Sequence, residues 1–131
     1  MAHPNEELVR KGYAAFLGGD LAALNDLFAD DIVWHAPGRN QMSGTFHGKD
    51  EVFGQFAKLF ELTGGSFKLE IHDVLANDTH AVVLARATGE YDGRKLDDKG
   101  VQVFHITDGK VTEQWLHPGD LHAADEFWGQ G

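Results

Sequence analysis

Arg86, Asp98, Gln102 and Gln114 are the side chains best suited by type to act together, and all lie between Val82 and His117. An arginine polarises an oxygen, a carboxylate carries a proton, and a glutamine amide donates and accepts hydrogen bonds. Whether they meet depends on two hairpin turns that carry Asp-Gly, "EYDGRK" and "ITDGKV". A two-residue type I′ loop centres on Asp-Gly, whereas a three-residue loop takes in Tyr91, Asp92 and Gly93, with Gly93 left-handed. The choice decides which side chains share a face.

The three-residue loop is preferred. It sets Glu90 opposite Arg94, Arg86 opposite Asp98, and Gln102 between Val82 and Gln114. The two-residue loop sets Arg86 against Lys99, a like-charge pair that costs a fraction of about 1 kcal/mol. One face then holds Leu84, Arg86, Thr88, Asp98, Gln102, Phe104, Gln114 and Leu116. An unpartnered buried polar group costs about 1–3 kcal/mol, so this mixture is expected to line a polar-dotted cavity. The plainer alternative makes Arg86–Asp98 a structural pair and sets the glutamines at a wet edge. The other face holds Val83, Ala85, Ala87, Val101, Val103, His105, Glu113 and Trp115. It reads as a homodimer interface through Val101, Val103 and Trp115.

The elements that must position these groups are helices first and strands after, which predicts an α+β fold. A first helix is expected over Asn5–Leu17, with Asn5 as N-cap and Glu6 and Glu7 at the positive end of its dipole. "GGD" ends it, and Asp20 caps a short second helix striped by Leu21, Leu24, Leu27 and Phe28. A strand over Ile32–Ala36 stops at Pro37 and Gly38. A loop follows, with a short strand near Phe46. A third helix over Lys49–Leu62 carries Val52, Phe53, Phe56, Leu59 and Phe60 on one face. Strands are expected over 66–75, 79–90, 96–107 and 110–117, and a short helix over Leu121–Trp128.

The chain has 131 residues, which suits one domain over 1–131. Its formal net charge of −10 repels phosphate backbones and disfavours a nucleic-acid partner. No apolar run approaches a membrane span of roughly 20 residues, so no membrane partner is expected and a cytoplasmic location is the default. There are no cysteines, which excludes thiol nucleophiles and cysteine metal sites. The eight histidines show no paired ligand spacing. Even His117, Asp120 and His122, close in sequence, read as loop residues, and no metal is expected.

"YAAFLGGDLAALNDLFADDIVWHAPG", "GTFHGKDEVFGQF" and "VFHITDGKVTEQWLHPGD" together resemble the SnoaL-like proteins of the nuclear transport factor 2-like, or ketosteroid isomerase-like, superfamily. The resemblance implies a cone-shaped α+β barrel, with three N-terminal helices on the concave face of a curved, mostly antiparallel sheet. The superfamily includes isomerases, dehydratases, epoxide hydrolases, polyketide cyclases and proteins that only bind. Against ketosteroid isomerase, the general-base position falls on Ala36, which cannot shuttle a proton. The oxyanion-hole acid falls near Gln102, and the oxyanion tyrosine near Tyr13 with a one-residue shift. Against limonene epoxide hydrolase, the catalytic arginine falls on Arg86. That enzyme's aspartates fall on Thr88 and Leu116, and its water-positioning residues on Trp34 and Ala36. The resemblance therefore points Trp34 and Ala36 into the cavity and His35 outward. It also lays the cavity under the third helix, beside Phe53 and Phe56.

Two functions follow as expectations. In the first, an apolar, oxygen-bearing small molecule enters the cone, where Arg86, Gln102 or Tyr13 polarises its oxygen and Asp98 or a histidine moves a proton. Trp34, Ala36, Phe53, Phe56, Thr88, Phe104, Gln114 and Leu116 form the wall. This is a cofactor-independent isomerase, epoxide hydrolase or cyclase-like lyase. In the second, the same fold is a non-catalytic binder or dimeric scaffold. The missing acid–base residues at Ala36, Thr88 and Leu116 favour that alternative.

Overall fold

The computed structural model describes residues 3–130. They form α1 (Pro4–Leu17), α2 (Leu21–Leu27), β1 (Phe28–Ala36), β2 (Gly44–His47), α3 (Gly48–Thr63), β3 (Lys68–Ala76), β4 (His80–Tyr91), β5 (Arg94–Thr107), β6 (Lys110–His117) and α4 (Leu121–Trp128). The fold is α+β, as the order of elements predicts. One six-stranded sheet runs in the order β2-β1-β6-β5-β4-β3. Only β1 and β6 pair in parallel. The sheet is curved but unclosed, with β2 and β3 as its edges, so the expected barrel is an open one. None of the described helices is long and apolar enough to cross a membrane.

Local chemistry accounts for most element ends. Asp20 caps α2 by accepting from the Ala23 N–H at 3.1 Å, as expected. The N-cap of α1 differs from expectation. It is His3, whose Nδ1 accepts from the Asn5 N–H at 3.0 Å, with Pro4 opening the helix. Asn5 is instead buried, and its side chain donates to the Asn77 carbonyl at 2.8 Å. That bond docks α1 onto the β3–β4 turn. Phe28, expected on the α2 stripe, opens β1. The carbonyls at the end of α2 find distant partners, with Lys49 donating to Asn25 and Lys110 to Asp26.

The hairpin register departs from the preferred reading. Asp92 and Gly93 both have positive φ, +50° and +76°, and so do Asp108 and Gly109, +51° and +75°. Both loops are two-residue type I′ turns, whose backbone twist matches that of the flanking strands. Across β4 and β5, Tyr91 pairs with Arg94, Arg86 with Lys99, and Val83 with Gln102. Arg86 and Thr88 therefore lie on the convex face, and Val83, Ala85 and Ala87 on the concave one.

Arg86 tolerates Lys99 directly opposite, against expectation, because it leans diagonally. It donates from Nε and Nη2 to the two Asp97 oxygens, both at 2.7 Å. Between β5 and β6 a bulge follows the tight turn, and the register shifts between His105 and Ile106. The shift keeps these side chains on the expected face but changes their partners: Gln102, expected opposite Gln114, pairs with Leu116, and Phe104 pairs with Gln114, all on the concave face.

Four rows of paired residues cross that concave face. They are Leu69, Ala87 and Asp98; Ile71, Ala85 and Gly100; Val74, Val83, Gln102 and Leu116; and Ala81, Phe104, Gln114 and Trp34. The helices α1 and α3 pack over them. Ile32, Val52 and Val83 are fully buried. Phe56 sits edge-to-face with Trp34 at 5.0 Å and with Phe16 at 4.9 Å, tying α3 to both the sheet and α1.

Truncating Ile32 removes a buried side chain that nothing can replace. Ile32→Ala is expected to lower the unfolding free energy by about 2–5 kcal/mol in urea denaturation. Arg86→Ala should leave the midpoint near that of the parent chain, because its pair with Asp97 is exposed. A large loss at Arg86 would place it in the interior and overturn the register.

Candidate functional site

Between the helices and the concave face lies a cavity of about 180 Å³. Phe16, Leu24, Phe28, Phe56, Leu69, Ala85 and Ala87 are among its apolar walls. Of the expected site residues, Tyr13, Trp34, Ala36, Phe56, Asp98, Gln102, Phe104 and Leu116 line it. Arg86 and Thr88 do not, because the tight Asp92–Gly93 turn sends both to the other side of the sheet. The expected Arg86–Asp98 pair does not form. Phe53 packs instead on Phe28, with rings 5.9 Å apart and 22° from parallel. Gln114 lies beneath the lining with no exposed surface.

Besides Asn40 and Gln55, the polar side chains of the lining fall into two places. At the first, the Tyr13 hydroxyl donates to Gln102 Oε1. Gln102 Nε2 donates to Gln114 Oε1 at 2.8 Å, and Gln114 Nε2 donates to the His35 carbonyl at 3.1 Å. Each buried polar atom of this chain is thereby paired, so burying it does not carry the usual penalty. Burial pushes the Tyr13 phenol well above its ordinary value, which keeps it protonated.

Asp98 occupies the second place. It is the one carboxylate in the lining among the described residues, which include no lining histidine, lysine or arginine. Its Oδ1 accepts from the Asp120 N–H at 3.0 Å and its Oδ2 from the Gly119 N–H at 3.2 Å. Asp98 thus fixes the approach to α4, whose N-cap is Asp120. Gly119 is required by the close packing there, since a Cβ on it would sit 2.4 Å from the Lys99 carbonyl. Four residues of strand separate Asp98 from Gln102, about 13 Å at 3.3–3.4 Å per residue.

His35 points away from the cavity, as expected. Its Nε2 lies 2.6 Å from Glu113 Oε2, and its ring stacks on Trp115 at 5.6 Å. His117 is exposed.

One end of the cavity is closed by parts the sequence reading did not connect. Asn40, Met42, Ala124 and Trp128 line it. Asp125 Oδ1 accepts from the Arg39 N–H and from Asn40 Nδ2, each at 2.8 Å. Gln41 donates to the Trp128 carbonyl at 2.7 Å, and Arg94 to the Phe127 carbonyl at 2.9 Å. Gly38 has φ +96°, and a Cβ there would lie 2.3 Å from Asp125 Oδ1. "PGRNQMSG" carries the loop chemistry in plain view, but its partner is more than 80 residues away.

The Arg39 N–H chiefly, and then the Asn40 amide, hold the Asp125 carboxyl below the usual carboxylate range. A lowered folded value means that the stabilisation is complete above the unfolded value of about 3.9 and is lost as pH falls through the lowered one. Acidification through that window is expected to loosen α4, read as a shift in tryptophan emission as Trp128 becomes wet. Asp125→Asn should flatten that transition. An unchanged transition would mean that another carboxylate governs it.

A model of the SnoaL-like domain family matches residues 9–114. An uncharacterized protein of Mycobacterium tuberculosis is 30% identical over 123 residues, 93% of this chain and 94% of the relative. The structure of Bal32a, from a soil-derived mobile gene cassette, superposes with a TM-score of 0.93 at 39% identity, covering 96% of this chain and 97% of that one. A nuclear transport factor 2-like protein from Burkholderia xenovorans gives a TM-score of 0.84 at 24% identity, covering 96% of each chain, a likeness of fold. With its helices over a curved sheet and its matched segment spanning most of the chain, this protein belongs to the SnoaL-like family, on a nuclear transport factor 2-like fold.

Proposed function

We propose that the chain binds a small, mostly apolar, oxygen-bearing molecule between its helices and the concave face of the sheet. One observation carries this reading: an apolar cavity of about 180 Å³ with a fully paired Tyr13–Gln102–Gln114 chain at its floor. A plain core does not need buried amides there. A ligand oxygen meeting Tyr13 and Gln102 gives them a purpose, while Trp34, Phe56, Phe104 and Leu116 supply apolar contact. A cavity of roughly 150 Å³ accommodates a benzene ring, so the fitting molecule has one or two rings.

Turnover is the finer part of the proposal. Asp98 is the proton carrier left, since no described histidine lines the cavity, for an isomerase-, hydrolase- or cyclase-type reaction without a cofactor. A group must sit near 3 Å from the atom it acts on. Across about 13 Å of strand, Asp98 and Gln102 cannot serve one atom. Chemistry, where it occurs, sits at the Asp98 end. The second reading, binding alone, is favoured by the two backbone N–H groups that already occupy the Asp98 oxygens. The convex face, with Val101, Val103 and Trp115, is proposed as the seat of a second copy of the chain.

Titration with single-ring aromatic compounds is expected to perturb Trp34 in the parent chain. Ala85→Phe, which fills the concave floor, should abolish the response while leaving the fold intact. Asp98→Asn separates the two readings. It should lower any turnover by about 10²–10⁴-fold, while the hydrogen bond lost to Gly119 or Asp120 loosens α4 and weakens affinity modestly in either reading; a pure binder shows no turnover to lose.

A further inference from the structure

The Tyr13–Gln102–Gln114 chain has a direction, and its far end sets it. The His35 carbonyl can only accept a hydrogen bond. The amide nitrogen of the buried Gln114 must therefore face it, as found at 3.1 Å. Gln114 Oε1 is then turned toward Gln102, which answers with Nε2 at 2.8 Å. That turns Gln102 Oε1 toward Tyr13, and the phenol must donate to it. Reversing any one amide would set oxygen against oxygen at the next junction or at the carbonyl. The single Tyr13 proton is thus committed to the protein, and its hydroxyl has only lone pairs to offer a ligand.

We infer that the cavity selects a ligand that presents a hydrogen-bond donor, a hydroxyl or enol, to Tyr13 Oη, and disfavours the matching carbonyl compound. The inference rests on the proposal that the cavity holds a small molecule, and adds its chemical class. It reverses the expectation that Tyr13 polarises a ligand oxygen. An alcohol donates to the phenol oxygen and can also accept from the remaining Gln102 N–H. A ketone can do only the latter, and its oxygen faces the phenol lone pairs. Gln114, which does not line the cavity, is the positioning residue that sets this preference through Gln102.

The test uses ethylbenzene, acetophenone and phenylethanol, the last being the alcohol formed by reducing acetophenone. Their dissociation constants are measured by NMR shifts of the Trp34 indole N–H and of cavity-lining methyl groups. In the parent chain phenylethanol should bind about tenfold more tightly than acetophenone, a ratio typical of one satisfied against one unsatisfied hydrogen bond. Tyr13→Phe alone frees Gln102 Oε1 as a new acceptor for the alcohol, so it is paired with Gln102→Leu, and the double variant should bring the ratio to near one without loss of ethylbenzene binding. Gln114→Leu removes the group that directs Gln102, frees the amide to turn, and should shrink or invert the ratio. Where Gln114→Leu does not fold, the ratio in the parent chain and the Tyr13→Phe/Gln102→Leu pair decide. Ethylbenzene binding with no preference for the alcohol, or with a preference for the ketone, overturns the inference and leaves the pocket standing. Failure of all three compounds to bind overturns the pocket itself, and the inference with it.

Discussion

The two-residue loop at Asp92–Gly93 decides what the cavity contains. Side chains alternate across a strand, so the parity of a hairpin loop assigns every residue of one strand to a face relative to the other. With both loop residues at positive φ, Gln102 faces the helices beside Val83, Ala85 and Ala87. Arg86 goes to the convex side and pairs with Asp97. One more residue in the loop would exchange these sets, putting a guanidinium where Ala85 and Ala87 now leave room. The cavity exists because small side chains and Gly100 occupy those rows.

Within that frame the core accepts amides only because they satisfy one another. Gln114 has no exposed surface, and Gln102 stands between it and Tyr13. An unpaired amide in such surroundings would cost about as much as a buried aliphatic side chain contributes. The chain ends on the His35 backbone, so the sheet itself anchors it. Around it, Tyr13, Phe56, Phe104 and Trp34 meet edge-on, a packing mode that holds rings in fixed orientations.

The end closed by α4 is built differently. There the wall is a loop and a helix held mostly by hydrogen bonds, Asp125 accepting and Gln41 and Arg94 donating, together with a smaller apolar cluster of Met42, Phe127 and Trp128. Polar stitching of this kind depends on ionisation and opens at lower cost than a packed core. Asp98 reaches the same region through the backbone of Gly119 and Asp120. The lone carboxylate of the cavity is thus tied to the element that closes it.

The sequence by itself determined the elements and their order. Helical spacing marked α1 and α3, Asp20 marked the start of α2, and the Asp-Gly pairs marked both hairpins. Period-two alternation put Gln102 and Phe104 on one face, and the family resemblance pointed Trp34 and Ala36 inward. These signals are local, set by backbone preference and side-chain period. The phase of β4 against β5 was not legible. The deciding quantities were the twist of a type I′ turn and a diagonal reach from Arg86 to Asp97, and a charge-pairing rule confined to direct opposites misses both. Nor was the Asp125 junction to Arg39 and Asn40, or the polarity of the Tyr13–Gln102–Gln114 chain. Only the tertiary structure brings those groups together, because a hydrogen bond's direction is fixed by the acceptor at its end, here a backbone carbonyl of a distant strand.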